Sequence, residues 1–446
     1  MTARSRDCEG FHRRDFLKLG AGGLLGLSLA DLLRLKASAA APAGQGRRAN
    51  AIIMIWLAGG PASIDMWDLK PSAPEGIRGA FRPIATKVSG LEICEHLPQM
   101  ARAVDKTTVV RSLYHTVPAH GPATLFMTTG NAPTPALQYP ALGSLAARLL
   151  PAARGVPPYI SFGELRSGAA GQAGYLGPTY NPFIVEGLGG GKGKKTPAKA
   201  STPQVRGILL PAGFTLEELE NRAALMQAFD HGLKALDHSS VADGLDAFHR
   251  MALEILTSDR SRKAFDLDQE PTVMRERYGL DGFGQGVLTA RRLVEAGVRF
   301  VTVTLGGWDT HQKNFEILSK ALLPQVDRTL SALLEDLDGR GLLGQTIVYC
   351  AGEFGRTPRV NQNAGRDHWA RSMAVILAGG GFRRGYLHGS TDAQGMAPTL
   401  EPCIPDDLAA TLFHCLGLDP RQELRTPTRR PVQLFREGQI IHKMLA

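Results

Sequence analysis

The sequence predicts an α/β protein with a mostly parallel central sheet, and three observations carry that expectation. Continuous apolar runs recur along the chain, at 51–57 (Ala-Ile-Ile-Met-Ile-Trp-Leu) and again at 346–351. Runs without polar alternation mark strands buried on both faces, as in parallel sheets covered by helices. Segments with helical apolar spacing lie between them. Finally, two runs empty into glycine-flanked acidic loops, and open α/β sheets gather ligands at the carboxyl ends of their strands.

The chain begins with a targeting pattern. His12-Arg13-Arg14-Asp15-Phe16-Leu17-Lys18 resembles a twin-arginine export signal; an apolar stretch and Ala37-Ser38-Ala39, an A-x-A-like cleavage site, follow. Residues 1–39 are therefore set apart from the fold. The apolar stretch is too short for an ordinary membrane-spanning helix, so the expectation is an exported or periplasmic protein with no stable span after cleavage. An uncleaved anchor is the alternative. The remainder, 45–446, reads as one α/β domain.

The run at 51–57 ends at Gly59-Gly60-Pro61, and 107–113 reads as a second strand. A helix is expected from Pro122 through Phe126 and Met127 to a closing Gly130, then a shorter strand at 157–162. Residues 187–203 are glycine- and lysine-rich and read as a mobile surface loop. They are no P-loop, because Gly193-Lys194 is followed by Lys195 rather than a hydroxyl residue. The stretch 214–296 reads as a helical insertion. Within it, Gly282-Phe283-Gly284-Gln285-Gly286 mimics part of a dinucleotide fingerprint but is read as a helix break. A strand at 298–304 delivers Gly306-Gly307-Trp308-Asp309-Thr310-His311. An amphipathic helix over about 317–337 follows, with Leu318, Leu322, Val326, Leu330 and Leu334 on one face. The strand at 346–351 delivers Gly352-Glu353-Phe354-Gly355-Arg356-Thr357-Pro358, and Gly365-Arg366-Asp367-His368-Trp369 precedes a strand at 372–377. A last main helix opens at Pro405.

The formal charge is +9. Residues 1–39 hold seven basic and four acidic residues, so the remainder carries +6. That suits small anionic substrates and gives no nucleic-acid signature. Cys94, Cys350, Cys403 and Cys415 form no zinc-finger spacing; a Cys403–Cys415 disulfide is one possibility for an oxidising compartment.

Two strand exits that each present an acid and a nearby histidine point to a divalent metal, since carboxylates and imidazoles are its ligands. Here a family resemblance becomes visible. The motifs Gly59-Gly60-Pro61…Asp65…Asp68, His115…His120-Gly121-Pro122-Ala123, Gly174-Tyr175-Leu176-Gly177-Pro178, Trp308-Asp309-Thr310-His311 and the two motifs at 352–358 and 365–369 resemble the bacterial family labelled domain of unknown function 1501. The wider layout is similar to the alkaline phosphatase-like superfamily of phosphatases, sulfatases and metal-dependent phosphoglycerate mutases. That resemblance implies a three-layer α/β sandwich holding one or two divalent ions, zinc or calcium or magnesium. The implied ligands are Asp65 or Asp68, Asp309, His311, Glu353 and His368. Asp367, next to His368, reads as an acid that orients it. Asp407, matched to the superfamily's helix-start acid, and Asp68 read equally well as helix-start and turn residues.

Two departures stand out. Phe354 occupies the place of an expected histidine ligand, which His115 or His120 would have to supply. The place of the usual nucleophile falls near His120, a candidate general base or nucleophile. Arg356 would anchor an anionic substrate or fix Glu353 by an ion pair. The reading is thus an exported hydrolase of small phosphate or sulfate esters, including phosphorylated or sulfated saccharides. A non-catalytic exported scaffold is the alternative. A serine hydrolase is disfavoured, because no G-x-S-x-G elbow is present.

Overall fold

The computed structural model describes residues 48–151, 153–163, 165, 169–188 and 258–446, which belong to one unit running from Arg48 to Ala446. The expected leader, most of the expected 187–203 loop and the part of the helical insertion before 258 lie outside the described residues.

Eight strands form the central sheet: β1 (Ala51–Ala58), β2 (Thr107–Leu113), β3 (Tyr159–Phe162), β4 (Phe183–Val185), β5 (Phe300–Gly306), β6 (Thr346–Ala351), β7 (Met373–Ala378) and β8 (Tyr386–His388). Their spatial order is β8-β2-β7-β6-β1-β5-β3-β4. Strand β1 lies at the centre, parallel to β5 with Ile53 beside Val301, and parallel to β6 with Ile53 beside Val348. Only β7 is reversed, antiparallel to both β6 and β2.

The apolar runs behave as their composition requires. Ile53, Ile55, Val303 and Cys350 face a layer containing α3 (Gly282–Glu295) and α4 (Leu323–Gly339). Met54, Trp56, Phe300 and Tyr349 face the opposite layer, containing α2 (Leu142–Leu149) and α5 (Pro405–Cys415). The result is the helix–sheet–helix architecture that the alkaline phosphatase-like resemblance implies.

Helix α1 (His120–Thr129) starts two residues before the expected Pro122 and closes on Gly130, whose φ of 64° is the left-handed conformation glycine tolerates. The expected helix over 317–337 carries a wide π-type turn at Leu318–Leu322, just before Pro324. Proline lacks an N–H and its ring crowds the carbonyl four residues back, which a widened turn relieves. All five apolar positions of that helix are nonetheless buried. Gly282–Gly286 opens α3 rather than breaking a helix, with the Asp281 carboxylate accepting the Gly284 N–H at 2.9 Å. The four cysteines are free and buried, so no Cys403–Cys415 disulfide exists; burial pushes each thiol up to about 12.

The reversal of β7 matters for the site. Strands β1, β5 and β6 deliver their carboxyl ends at one edge of the sheet, and a reversed β7 brings its amino end to that same edge. His368, just ahead of β7, therefore meets Asp309 after β5 and Phe354 after β6.

Candidate metal centre

Four donor side chains converge at this edge. Asp309 lies at the centre, three residues beyond β5. His311 Nε2 is 3.1 Å from Asp309 Oδ1, and His368 Nε2 is 3.3 Å from the same oxygen. His120 Nε2 is 3.3 Å from Asp309 Oδ2. The donor atoms of His120, Asp309 and His368 all lie within 4.8 Å of one another. His311 joins them, its Nε2 only 3.0 Å from His368 Nε2.

The far side of each imidazole is fixed by an acceptor. His120 Nδ1 faces Glu353 Oε1 at 2.6 Å, His311 Nδ1 faces Asp367 Oδ1 at 2.6 Å, and His368 Nδ1 faces the Pro118 carbonyl at 2.8 Å. A carboxylate or carbonyl only accepts, so each Nδ1 carries the proton. A ring that holds only this proton turns an Nε2 lone pair inward. Three lone pairs and a carboxylate pointing at one small volume repel each other unless a cation or a shared proton lies between them. Acceptor–histidine–metal arrangements have this form.

The surrounding charge favours that protonation pattern. Burial and the charge of Arg356 hold His368 below the ordinary histidine range against the pull of the Pro118 carbonyl. Burial alone would raise the Asp309 carboxyl. The Arg356 hydrogen bond and charge outweigh it and hold Asp309 well below the usual carboxylate range. A ligand set needs this combination of ionised carboxylate and neutral imidazole.

Close backbone approach builds the pocket. Gly59 has φ of 122°, and a Cβ there would stand 2.4 Å from the Asp309 backbone nitrogen. Its N–H is donated to Glu353 at 2.9 Å from Oε1. Phe354 is fully buried and packs under the imidazoles, with ring centroids 5.0 Å from His120 and 4.5 Å from His368. Where the superfamily pattern has a second-site histidine, this chain has an apolar floor. Among the described residues these donors form one group, enough for one ion.

Several expected site residues fall elsewhere. Asp65 takes Arg366 Nε at 2.7 Å and Nη2 at 2.8 Å, and the Asn314 amide at 2.8 Å; its oxygens are occupied by donors, away from the imidazoles. Asp68 pairs with Lys70 at 3.0 Å and accepts the Thr391 hydroxyl. Both are structural acids here. Glu353 faces the cluster's edge, but its oxygens serve His120 and the Gly59 N–H, so it orients a ligand. His115 has both nitrogens committed, accepting the Val117 N–H at 3.1 Å and donating to the Glu353 carbonyl at 2.8 Å, which leaves it no catalytic atom. Arg356 is buried, with Nε on the Gly60 carbonyl at 2.8 Å, Nη1 on the Arg366 carbonyl at 3.0 Å and Nη2 on Asp309 at 2.6 Å. It fixes Asp309 rather than Glu353, and its buried guanidinium is spent mainly on protein acceptors. Asp367 orients His311 rather than its neighbour His368. Asp407 caps α5, accepting the Ile404 N–H at 3.0 Å. Sequence reasoning missed Arg366, Asn314 and the Pro118 carbonyl. Of these only Arg366 carried a signal, its place beside Asp367-His368.

The family described as "Protein of unknown function (DUF1501)" matches residues 49–445. No curated protein matches the chain. Among solved structures, a sulfatase from Pseudoalteromonas sp. overlaps at a TM-score of 0.40 and 12% identity, covering 94% of this chain and 75% of its own. A phosphonate monoester hydrolase of Agrobacterium radiobacter overlaps at 0.34 and 13%, covering 89% and 77%. Overlaps this loose carry no activity across.

Proposed function

We propose, from the premise that this chain belongs to the DUF1501 family, that it is a metal-dependent hydrolase of phosphate or sulfate esters acting outside the cytoplasm. The observation that carries the metal is the inward convergence of the His120, His311 and His368 Nε2 atoms on Asp309. Three imidazoles and one carboxylate suit zinc or a similar borderline ion better than calcium or magnesium, which prefer oxygen ligands. The ester class follows from the superfamily resemblance of the motifs.

Bound there, such an ion would polarise an ester oxygen and acidify a bound water. The protein's own contributions are distinct. Glu353, Asp367 and the Pro118 carbonyl hold the three rings. Arg356 holds Asp309 ionised. Phe354 keeps the floor dry. His120, His311, His368 and Asp309 are each partly exposed, so a small ester has access.

The scaffold alternative keeps one observation in its favour. Two hydroxyls near α1 are committed: Thr124 donates to the His120 carbonyl at 2.7 Å and Ser112 to the Glu401 carbonyl at 2.6 Å. Neither is poised as a nucleophile.

Metal analysis of protein purified without chelator decides first. Wild type should carry close to one equivalent, and His311→Ala or His368→Ala should lose it while circular dichroism stays unchanged. Wild type without metal, or variants that keep it, would sink the proposal; metal without turnover of aryl phosphate and aryl sulfate esters would leave the scaffold reading. Export is proposed from the twin arginines. Replacing Arg13 and Arg14 by Lys should leave precursor in the cytoplasm, and normal export of that variant would refute the route.

A further inference from the structure

A cavity of about 410 Å³ opens beside the short turn Ser63–Asp65, apart from the Asp309 cluster. Its walls carry Lys70, Arg78 and Arg82, with Asp65 as the only carboxylate among its lining residues. Asp65 is already neutralised by Arg366. Lys70 is shared with Asp68, which Arg111 also approaches at 3.6 Å. Arg78 and Arg82 are exposed, and neither guanidinium has a hydrogen bond or ion pair among the described residues. Glu95, on that side, accepts the Arg82 backbone N–H at 3.0 Å. The wall is therefore positive. Ile64 and Phe81 give it an apolar part.

The loop that carries these arginines is held in place. The Gly76 carbonyl accepts the Val360 N–H at 2.8 Å, and the Ile77 carbonyl accepts Arg366 Nη2 at 3.1 Å. Phe81 packs edge-on to Phe315 with centroids 5.5 Å apart. Arg366 directly precedes Asp367 and His368, so the hairpin that carries two site residues also braces this cavity.

The geometry points to a second binding site, in which Arg78 and Arg82 take an oxyanion, a sulfate or phosphate group, that is not itself hydrolysed. Two guanidinium forks on a braced loop match a tetrahedral oxyanion by paired N–H donors. The group is either a free inorganic anion or a substituent on a larger ligand such as a sulfated saccharide. The site draws on no residue of the metal cluster and stands whether or not that cluster hydrolyses anything.

Calorimetric titration of the chelator-treated full chain at constant ionic strength tests this. The probes are inorganic sulfate, inorganic phosphate, and a sulfated tetrasaccharide beside its desulfated form. Arg78→Gln/Arg82→Gln should weaken binding at least tenfold, with unchanged metal content in a parallel untreated sample. Loss with the inorganic ions identifies a free-anion site; loss with the sulfated saccharide alone identifies a substituent site. Affinities within twofold of wild type for every probe, or no binding by wild type, overturn it. Selenate soaked into wild-type crystals is the second measurement: an anomalous peak against Arg78 and Arg82 is expected, and none in the cavity refutes the site.

Discussion

Asp65 and Asp309 are built alike and end differently. Each follows a central strand, and each is gripped by an arginine from the 356–366 segment. Arg366 and Asn314 bring protonated donors to both Asp65 oxygens, and that side chain is fully buried. Around Asp309, Arg356 occupies one oxygen, and three imidazole nitrogens whose rings hold their protons outward also approach it. A carboxylate surrounded by donors is a lock. One surrounded by acceptors is a place for a cation. The identity of the acid does not separate the two; the protonation of its neighbours does.

The sharpest way to break that contrast is Arg366→Met. It leaves the Asp65 carboxylate buried with only Asn314 for support, and breaking a buried pair from one side costs about 3–5 kcal/mol. Chemical denaturation should show a loss of that size, the largest expected for any single change discussed. A loss below about 1 kcal/mol would mean that water or another donor reaches Asp65 and that it is no lock.

Much of this was legible in the chain, for a physical reason. Strands β1, β6 and β7 are buried on both faces, so their apolar runs are nearly uninterrupted and easily seen, while β5 is broken by Thr302 and Thr304. Asp309 and His368 sit beside tryptophan at strand ends, with His311 two residues beyond Asp309, where ligand-bearing loops are expected. The direction of β7 was hidden, because a buried strand looks the same whichever way it runs. Asp65 and Asp68 resembled ligands because a decisive partner of each lies far away in sequence: Arg366 is 301 residues from Asp65, and Thr391 is 323 from Asp68. Arg356 resembled a substrate anchor for the same reason, its carbonyl partners at Gly59 and Gly60 being equally remote. Asp367 was assigned to His368 by adjacency. Neighbouring residues in an extended segment point to opposite sides, and the ring it reaches comes from the other loop.

The smallest expected effects sharpen the comparison within the cluster itself. Glu353 and Asp367 do the same work, each fixing an imidazole by its Nδ1 proton at 2.6 Å. They differ in setting. The Glu353 side chain is 0% exposed and that of Asp367 is 54% exposed. In Glu353→Gln, the new amide cannot accept from both His120 and the Gly59 N–H without turning its NH2 toward one of them. The Glu353 side chain is shut off from solvent, so a misplaced amide is not made good and His120 is held less firmly. Orienting partners of this kind are worth about 10–100-fold in metal affinity, and competition against a chelating dye should place Glu353→Gln in that range. In Asp367→Asn, solvent and the amide oxygen both remain available to His311. Its affinity should fall less than about tenfold, the lower edge of that range. Equal losses in the two variants would show that burial of the orienting acid is irrelevant. A larger loss for Asp367→Asn would make His311, the most exposed of the three rings, the ligand on which the ion depends.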